Sequence, residues 1–152
     1  MDVYIVKGEN NCRKSSIVRA LTGVGPRRRV LHVATNDGGR VVEMFIQDSS
    51  PQDLKVPMSP SMLMNGIESK DVDAALVVLR DKSCNHMPEG DHYISAMNSR
   101  GWNVLKVVDL EVVDKDNEFS EIIEGDRLSI RFSKDVANNF LAHSVRRFFG
   151  WL

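Results

Sequence analysis

Short apolar runs alternate with helical patterns along the chain. Residues 3–6 and 74–79 are runs of apolar residues that favour β-structure, which is typical of buried strands. Residues 104–108 form a third run of this kind. Residues 128–132 alternate apolar and polar positions, as a half-exposed strand does. The pattern therefore predicts at least four strands spread over the whole length.

Four segments beside these strands are predicted to be helices. Residues 14–22 carry apolar positions three and four apart, and a glycine follows them. Ser59 before Pro60 predicts an N-cap and a first helical residue, and a shorter helix is expected over about residues 91–101. Ser133 is expected to cap a last helix. The apolar face of that helix is formed by Ala137, Leu141, Val145, Phe148 and Leu152.

The order of these elements predicts the fold class. Strands alternating with helices build an α/β fold of three layers, with a mostly parallel sheet between helices on both faces. Residues 30–35 and 40–47 lie on either side of Asn-Asp-Gly-Gly and predict a hairpin, which adds one antiparallel edge strand. A chain of 152 residues that is 42% hydrophobic is long enough for one domain with a core, and we expect that domain to span residues 1–152.

The charge is balanced overall but uneven along the chain. A net charge of −1 argues against a general nucleic-acid binder. Arg27, Arg28 and Arg29 form a basic cluster, whereas residues 109–126 contain eight acids and one base. Either segment is a solvated surface or a surface that binds a protein partner.

Several classes of protein are disfavoured by what the sequence lacks. No apolar run approaches the ~20 residues that cross a membrane. The chain enters a strand-like run at once, without a basic leader, so we expect a cytoplasmic protein with no membrane span. Two cysteines and four histidines have spacings that suggest neither a disulfide framework nor a zinc site.

The segment between the first strand and the first helix carries the chemistry of greatest interest. Phosphate-binding loops have the pattern Gly, four residues, Gly, Lys, Ser/Thr between a strand and a helix. Gly8, Lys14 and Ser15 match it. Backbone N–H groups at the helix start favour phosphate oxygens, Lys14 would neutralise phosphates, and the Ser15 hydroxyl would bind Mg²⁺.

One position departs from this pattern. Arg13 stands where the second glycine belongs, although its charge suits an anion. The alternative interpretation is an ordinary turn between a strand and a helix.

A longer stretch, from residue 8 to residue 23, resembles the first nucleotide motif of small Ras-like and translation-factor-type GTPases, which often continue as Lys-Ser-Ser-Leu-Leu-Asn-Ala-Leu-Thr-Gly. The order of predicted elements is also similar to the GTPase core. The resemblance implies a nucleotide, GTP or ATP, bound with Mg²⁺. The residues that it implies for nucleotide binding are Gly8, Asn11, Cys12, Arg13, Lys14, Ser15 and Ser16.

A second match follows the hairpin. The family has Asp-x-x-Gly, often followed by Gln, at the end of a strand, and here Asp48 and Gln52 take the first and last positions. The resemblance implies that Asp48 reaches Mg²⁺ through water, beside Ser15, and that Gln52 orients the attacking water. Pro51 stands where the glycine N–H would contact the γ-phosphate, and proline has no N–H. The Asn-Lys-x-Asp motif that recognises guanine does not follow the fifth strand.

Three functions are compatible with these observations. The first is a divergent nucleotide-binding protein with weak or no hydrolysis. The second is a pseudo-GTPase that acts as a protein-interaction scaffold without nucleotide, with Trp151 as one candidate contact for a protein partner. The third is a small phosphotransferase of the nucleotide-kinase type.

Overall fold

A computed structural model describes residues 1–23 and 29–152. The strands are β1 (Asp2–Gly8), β2 (Val30–Ala34), β3 (Val41–Gln47), β4 (Ala74–Arg80), β5 (Asn103–Val113), β6 (Phe119–Glu124) and β7 (Arg127–Ser133). The helices are α1 (Lys14–Thr22), α2 (Pro60–Glu68), α3 (Gly90–Ser99) and α4 (Asn138–Phe149), and a short 3₁₀ turn covers Pro51–Asp53.

The seven strands form one sheet in the order β2-β3-β4-β1-β5-β7-β6. The five inner strands are parallel, and β2 and β6 are antiparallel strands at the two edges. The predicted α/β class with a mostly parallel sheet is therefore confirmed. The sequence predicted only one antiparallel edge strand, however, and β6 is a second.

Helices pack on both faces of the sheet and create two apolar cores. α1 and α4 bury Ile17 and Leu141 against one face, where Val6 of β1 meets them. α2 and α3 bury Leu63 and Met97 against the other face. Because successive side chains of β1 point to opposite faces, the central strand is buried on both sides, as its unbroken apolar run predicted.

Strand β6 lies inside the acidic stretch, where the sequence pattern did not predict a strand. The hairpin turn that joins β6 to β7 places Gly125 at φ 59°. Five of the eight acids form ion pairs with bases, so the folded surface is less acidic than the sequence suggests. The paired acids are Asp109, Glu111, Glu118, Glu121 and Asp126.

The C-terminal helix begins later than predicted. Ser133 is buried at the end of β7, and its hydroxyl bonds with Asp135 rather than capping a helix. Gly150, at φ 71°, ends α4, so Leu152 lies beyond the helix and is exposed. Trp151 is buried against Tyr4 and Phe149 and is not available as a partner contact.

Two further predictions concern the basic cluster and the absence of a membrane span. Arg27 and Arg28 of the basic cluster lie outside the described residues, and Arg29 is exposed. Within the described part of the chain, no helix has the length and apolar character that crossing a membrane requires.

Candidate phosphate-binding site

The candidate site lies at the carboxyl ends of the central strands. β1 leads into α1 on one face of the sheet, whereas the adjacent β4 leads into α3 on the opposite face. Loops that leave neighbouring parallel strands in opposite directions open a crevice between them, which is where α/β sheets bind ligands. The loop of residues 9–13 follows β1 at this crevice.

The backbone of this loop bends sharply between β1 and α1. Asn11 and Arg13 adopt left-handed conformations with φ 60° and 63°. A Cβ on Gly8 would lie 2.4 Å from Cys12 Sγ, so only glycine fits the start of the loop. The first intrahelical bond of α1 runs from the Ile17 N–H to the Arg13 carbonyl at 2.9 Å. The three earlier N–H groups of α1 therefore have no acceptor within the helix.

The side chain of Arg13 is bound away from the loop. Its Nη1 donates to the Val136 carbonyl at 2.8 Å and to Asn138 Oδ1 at 3.1 Å. The guanidinium carbon lies 5.0 Å from the centre of the Phe132 ring. Arg13 therefore anchors the loop to β7 and to the start of α4.

A cavity of about 300 Å³ opens between the loop and the segment that follows β3. Lys14 and the hydroxyl-bearing Ser15, Ser16, Ser49 and Ser50 contribute to its lining. Hydroxyl groups beside a helix N-terminus provide hydrogen-bond donors for an anion. The walls also include one carboxylate, Asp53.

Lys14 is 7% exposed and has only neutral acceptors. Its Nζ donates to the Glu9 carbonyl at 2.6 Å and lies 3.9 Å from Cys12 Sγ. Burial raises the pKa of the Cys12 thiol, even though Lys14 opposes this shift, so the thiol stays protonated at neutral pH. No carboxylate of the described residues pairs with Lys14, and residues 24–28 contain no acid.

Lys7, at the other end of the same loop, has the opposite environment. It is 5% exposed, and its Nζ lies 2.8 Å from Asp81, 3.2 Å from Asp91 and 3.1 Å from Asp109. Burial by itself lowers the pKa of Lys7, but the hydrogen bond to Asp81 and the attraction of Asp109 outweigh it and raise the pKa above 10.5. Arg127 bonds to Asp91 and Asp109 as well, which completes a charge network.

A second, larger cavity adjoins the first. It measures about 790 Å³ and lies over the carboxyl ends of β1, β5 and β7. Asn10 lines both cavities, so they lie on either side of one loop. The lining of the larger cavity combines apolar residues with charged ones, and the charged ones are four acids and two bases: Glu9, Asp81, Asp109, Glu111, Lys7 and Arg131.

Ser15 and Asp48 are brought together, but the Ser15 hydroxyl contacts the backbone of Asp48 and not its carboxylate. Ser15 Oγ donates to the backbone carbonyl of Asp48 at 2.5 Å. The Asp48 side chain is buried and pairs with Arg19 Nε at 3.1 Å. β4 lies between β1 and β3, so Asp48 approaches the loop across an intervening strand. Residues 1–23 and 29–152 contain no cluster of three His, Cys, Asp or Glu side chains suited to a metal ion.

Gln52 is fully buried and both ends of its amide are in use. Nε2 donates to the carbonyls of Arg80 and Pro88 at 3.0 and 3.3 Å, and Oε1 accepts from the Arg80 N–H at 3.2 Å. These bonds tie the 3₁₀ turn to the end of β4. The amide is therefore not free to hold a water molecule in this arrangement.

Replacing Gln52 with leucine is expected to lower the free energy of unfolding by about 3 kcal/mol, because buried backbone groups lose their partners. Urea unfolding measures the change. The matched control is Gln47→Leu, which removes one bond to the Ser49 carbonyl at 3.0 Å and is expected to cost about 1 kcal/mol. An equal or smaller cost at Gln52 would contradict this structural role.

The sequence interpretation missed the Lys7 network. A position-based signal was nevertheless present, because Lys7, Asp81 and Asp109 each lie at or just beyond the carboxyl end of an apolar strand run. Carboxyl ends of adjacent parallel strands share one edge of the sheet. Asp91 carries no such signal, since it reaches the network from the first turn of α3.

No protein-family model matches the sequence, and neither the curated proteins nor the solved structures contain a significant match. Any proposal about function therefore rests on the geometry of the site.

Proposed function

We propose that the chain binds the phosphate groups of a nucleotide at the loop of residues 8–16, as P-loop proteins do, with weak or no hydrolysis. The phosphates would occupy the 300 Å³ cavity at the start of α1.

The environment of Lys14 carries this proposal. A buried ammonium without a counter-charge is unfavourable, and proteins normally pair such groups. Lys7 shows how this chain pairs a buried lysine, with three carboxylates within 3.2 Å. Lys14, seven residues further on, has only a carbonyl and a protonated thiol. A phosphate in the adjacent cavity would supply the missing negative charge.

The loop backbone supports the same ligand. The left-handed residues Asn11 and Arg13 bend the chain around the cavity, and the free N–H groups of α1 lie at its edge. Concave arrangements of backbone N–H groups bind anions, and the helix dipole favours negative charge there. The cavity of about 790 Å³ on the other side of Asn10 offers room for a nucleoside.

We expect weak or no hydrolysis because two residues of the second GTPase-like match cannot take the roles that they have in the family. The Gln52 amide is committed to Arg80 and Pro88, and Pro51 has no N–H to offer a γ-phosphate. The donor set also does not fit a bound Mg²⁺ as it stands, because the Asp48 carboxylate holds Arg19 and the Ser15 hydroxyl bonds to a carbonyl. A role for Mg²⁺ stays a prediction from the resemblance.

Calorimetric titration of the purified, ligand-stripped chain tests the proposal. The ligands are pyrophosphate, GTP, ATP and their diphosphates, each with and without Mg²⁺. Micromolar binding of any of them supports a working phosphate site, and the preferred base separates the GTPase-like function from the kinase-like one. Absence of binding by all of them overturns the proposal and favours the scaffold function.

Replacing Arg13 with glycine is expected to leave pyrophosphate affinity within about threefold, because Nη1 of Arg13 is held by the Val136 carbonyl and Asn138, even though Arg13 contributes to the cavity lining. Arg13→Ala keeps the unfavourable positive φ and should be less stable than Arg13→Gly by about 1 kcal/mol. Titration and urea unfolding measure the two effects. A tenfold or larger loss of affinity in the glycine variant would place the guanidinium in the phosphate site.

A further inference from the structure

Strand β6 is an open edge of the sheet, unlike the edge at β2. The outer side of β2 is partly covered by the chain itself, since the Leu152 N–H donates to the Ala34 carbonyl at 2.9 Å and Trp151 bridges Thr35. β6 pairs with β7 on one side and ends the sheet on the other. Open edges are templates for pairing with another strand.

The hydrogen-bond pattern shows which backbone groups of β6 face outward. The Ser133 N–H donates to the Glu118 carbonyl at 2.9 Å, and bonded positions alternate along an antiparallel pair. The even-numbered positions of β6 therefore bond to β7. The N–H and C=O groups of Phe119, Glu121 and Ile123 point away from the sheet.

The side chains at this edge are unusually apolar for an exposed strand. Ile122 is 59% exposed and Ile123 is 61% exposed, and they lie on opposite faces. Ile123 lies beside a groove of about 260 Å³ between the sheet and α4, which Arg147 and Phe148 also line. Two neighbouring isoleucines at an edge that residues 1–23 and 29–152 leave unpaired indicate a surface that binds another strand.

We infer that β6 pairs antiparallel with β6 of a second copy of this chain, with Ile122 on the twofold axis, to form a continuous sheet of two molecules. This dimer does not involve the 300 Å³ phosphate cavity, whereas Ile122 also lines the cavity of about 790 Å³ that would hold the nucleoside.

The β6 sequence is self-complementary in this register. Ile122 faces Ile122 of the other copy at a position without ladder hydrogen bonds, where side chains come closest. Glu121 faces Ile123 and Ser120 faces Glu124, so no like charges stand directly opposite each other. The outward-facing groups of Glu121 and Ile123 then bond to each other across the interface.

The charges around β6 permit this contact in spite of the acidic sequence. Glu121 pairs with Arg147 at 3.0 Å, and Asp126 pairs with Lys106 at 3.3 Å. Glu118 lies 3.7 Å from Arg131. Because bases from elsewhere in the fold neutralise these acids, two copies of β6 approach without the repulsion that the sequence alone suggests.

Sedimentation velocity from about 1 µM to about 500 µM tests the dimer, because this range of concentrations also detects weak self-association. We expect a concentration-dependent dimer whose dissociation constant rises at least about tenfold in Ile122→Lys, since two lysines then meet on the axis. Val41→Lys is the matched control, because Val41 is a strand residue that is 57% exposed, at the far side of the sheet, and it should have no effect. A chain that is monomeric throughout, or a dimer that Ile122→Lys leaves intact, overturns the inference.

Disulfide trapping tests the register. In a Cys84→Ser background, Ile122→Cys should give a covalent dimer after mild oxidation, since facing residues of such a pair have the spacing that a disulfide needs. Ile123→Cys should not, because Ile123 faces Glu121 in this register. Trapping by Glu121→Cys in place of Ile122→Cys would contradict the proposed axis.

Discussion

Replacing Lys14 with methionine is expected to weaken pyrophosphate and nucleotide binding by at least about 100-fold, or about 2.7 kcal/mol. Methionine keeps the packing of the aliphatic stem and removes the buried ammonium, which has no carboxylate partner among the described residues. Calorimetric titration of both proteins measures the difference. Unchanged affinity would remove Lys14 from the phosphate site.

The same substitution weakens binding but should not destabilise the ligand-free protein. A buried ammonium with only neutral partners costs free energy in the ligand-free protein, so Lys14→Met should leave the free energy of unfolding unchanged or raise it by about 1 kcal/mol. Lys134→Met changes an exposed lysine and serves as the control for both measurements. A strongly destabilised Lys14→Met would indicate a structural lysine and would weaken the functional argument.

Replacing Lys7 with methionine is expected to lower the free energy of unfolding by about 3–5 kcal/mol at neutral pH, because it removes the buried ammonium of an ion-pair cluster. Asp81, Asp91 and Asp109 then remain close together, and only the last two keep a base, Arg127. Urea unfolding measures the loss. Lys82→Met is the matched control, since its pair with Glu9 is exposed on both sides and is worth less than about 1 kcal/mol.

The pH dependence separates this mechanism from a simple loss of packing. Burial raises the pKa of Asp91, but bonds to Lys7 and Arg127 outweigh burial and bring the pKa below 3.8. The contribution of Asp91 to stability is therefore complete above pH 3.8, and it is lost as the pH falls through the pKa of Asp91 in the folded protein. The pKa of Lys7 lies above 10.5, so its contribution is complete below 10.5 and is lost as the pH rises through the folded value.

Between the folded pKa values of Asp91 and Lys7, both of these side chains are charged in the wild-type protein. In Lys7→Met, Asp91 loses the ammonium that lowers its pKa and keeps two carboxylates nearby, so its pKa rises. The difference in stability between the two proteins should therefore shrink as the pH falls from about 7 to about 4.5. A difference that stays constant over this range would assign the effect to packing alone.

The sequence by itself determined the elements whose signals are local. The start of α1 at Lys14, the hairpin around the Asn-Asp-Gly-Gly turn and the Ser59 cap of α2 were all predicted and are observed. In each case residues within a few positions fix the backbone, through turn conformation, side-chain capping or the spacing of apolar residues. The loop that joins β1 to α1 after Gly8 was also predicted and is observed, whereas its role as a phosphate site stays a prediction.

Only the tertiary structure decided what depends on residues far apart in sequence. The acids around Phe119 hid the strand pattern of β6 in the sequence. This strand forms because it pairs with β7 and because Arg147, from α4, neutralises Glu121. Gln52 matched a catalytic position in the sequence, yet its amide binds the end of β4. Lys7 and Lys14 look equivalent along the chain, and they differ because the sheet brings three carboxylates to Lys7 alone. A local pattern specifies backbone conformation, whereas the electrostatic environment of a side chain is set by whichever strands the fold makes its neighbours.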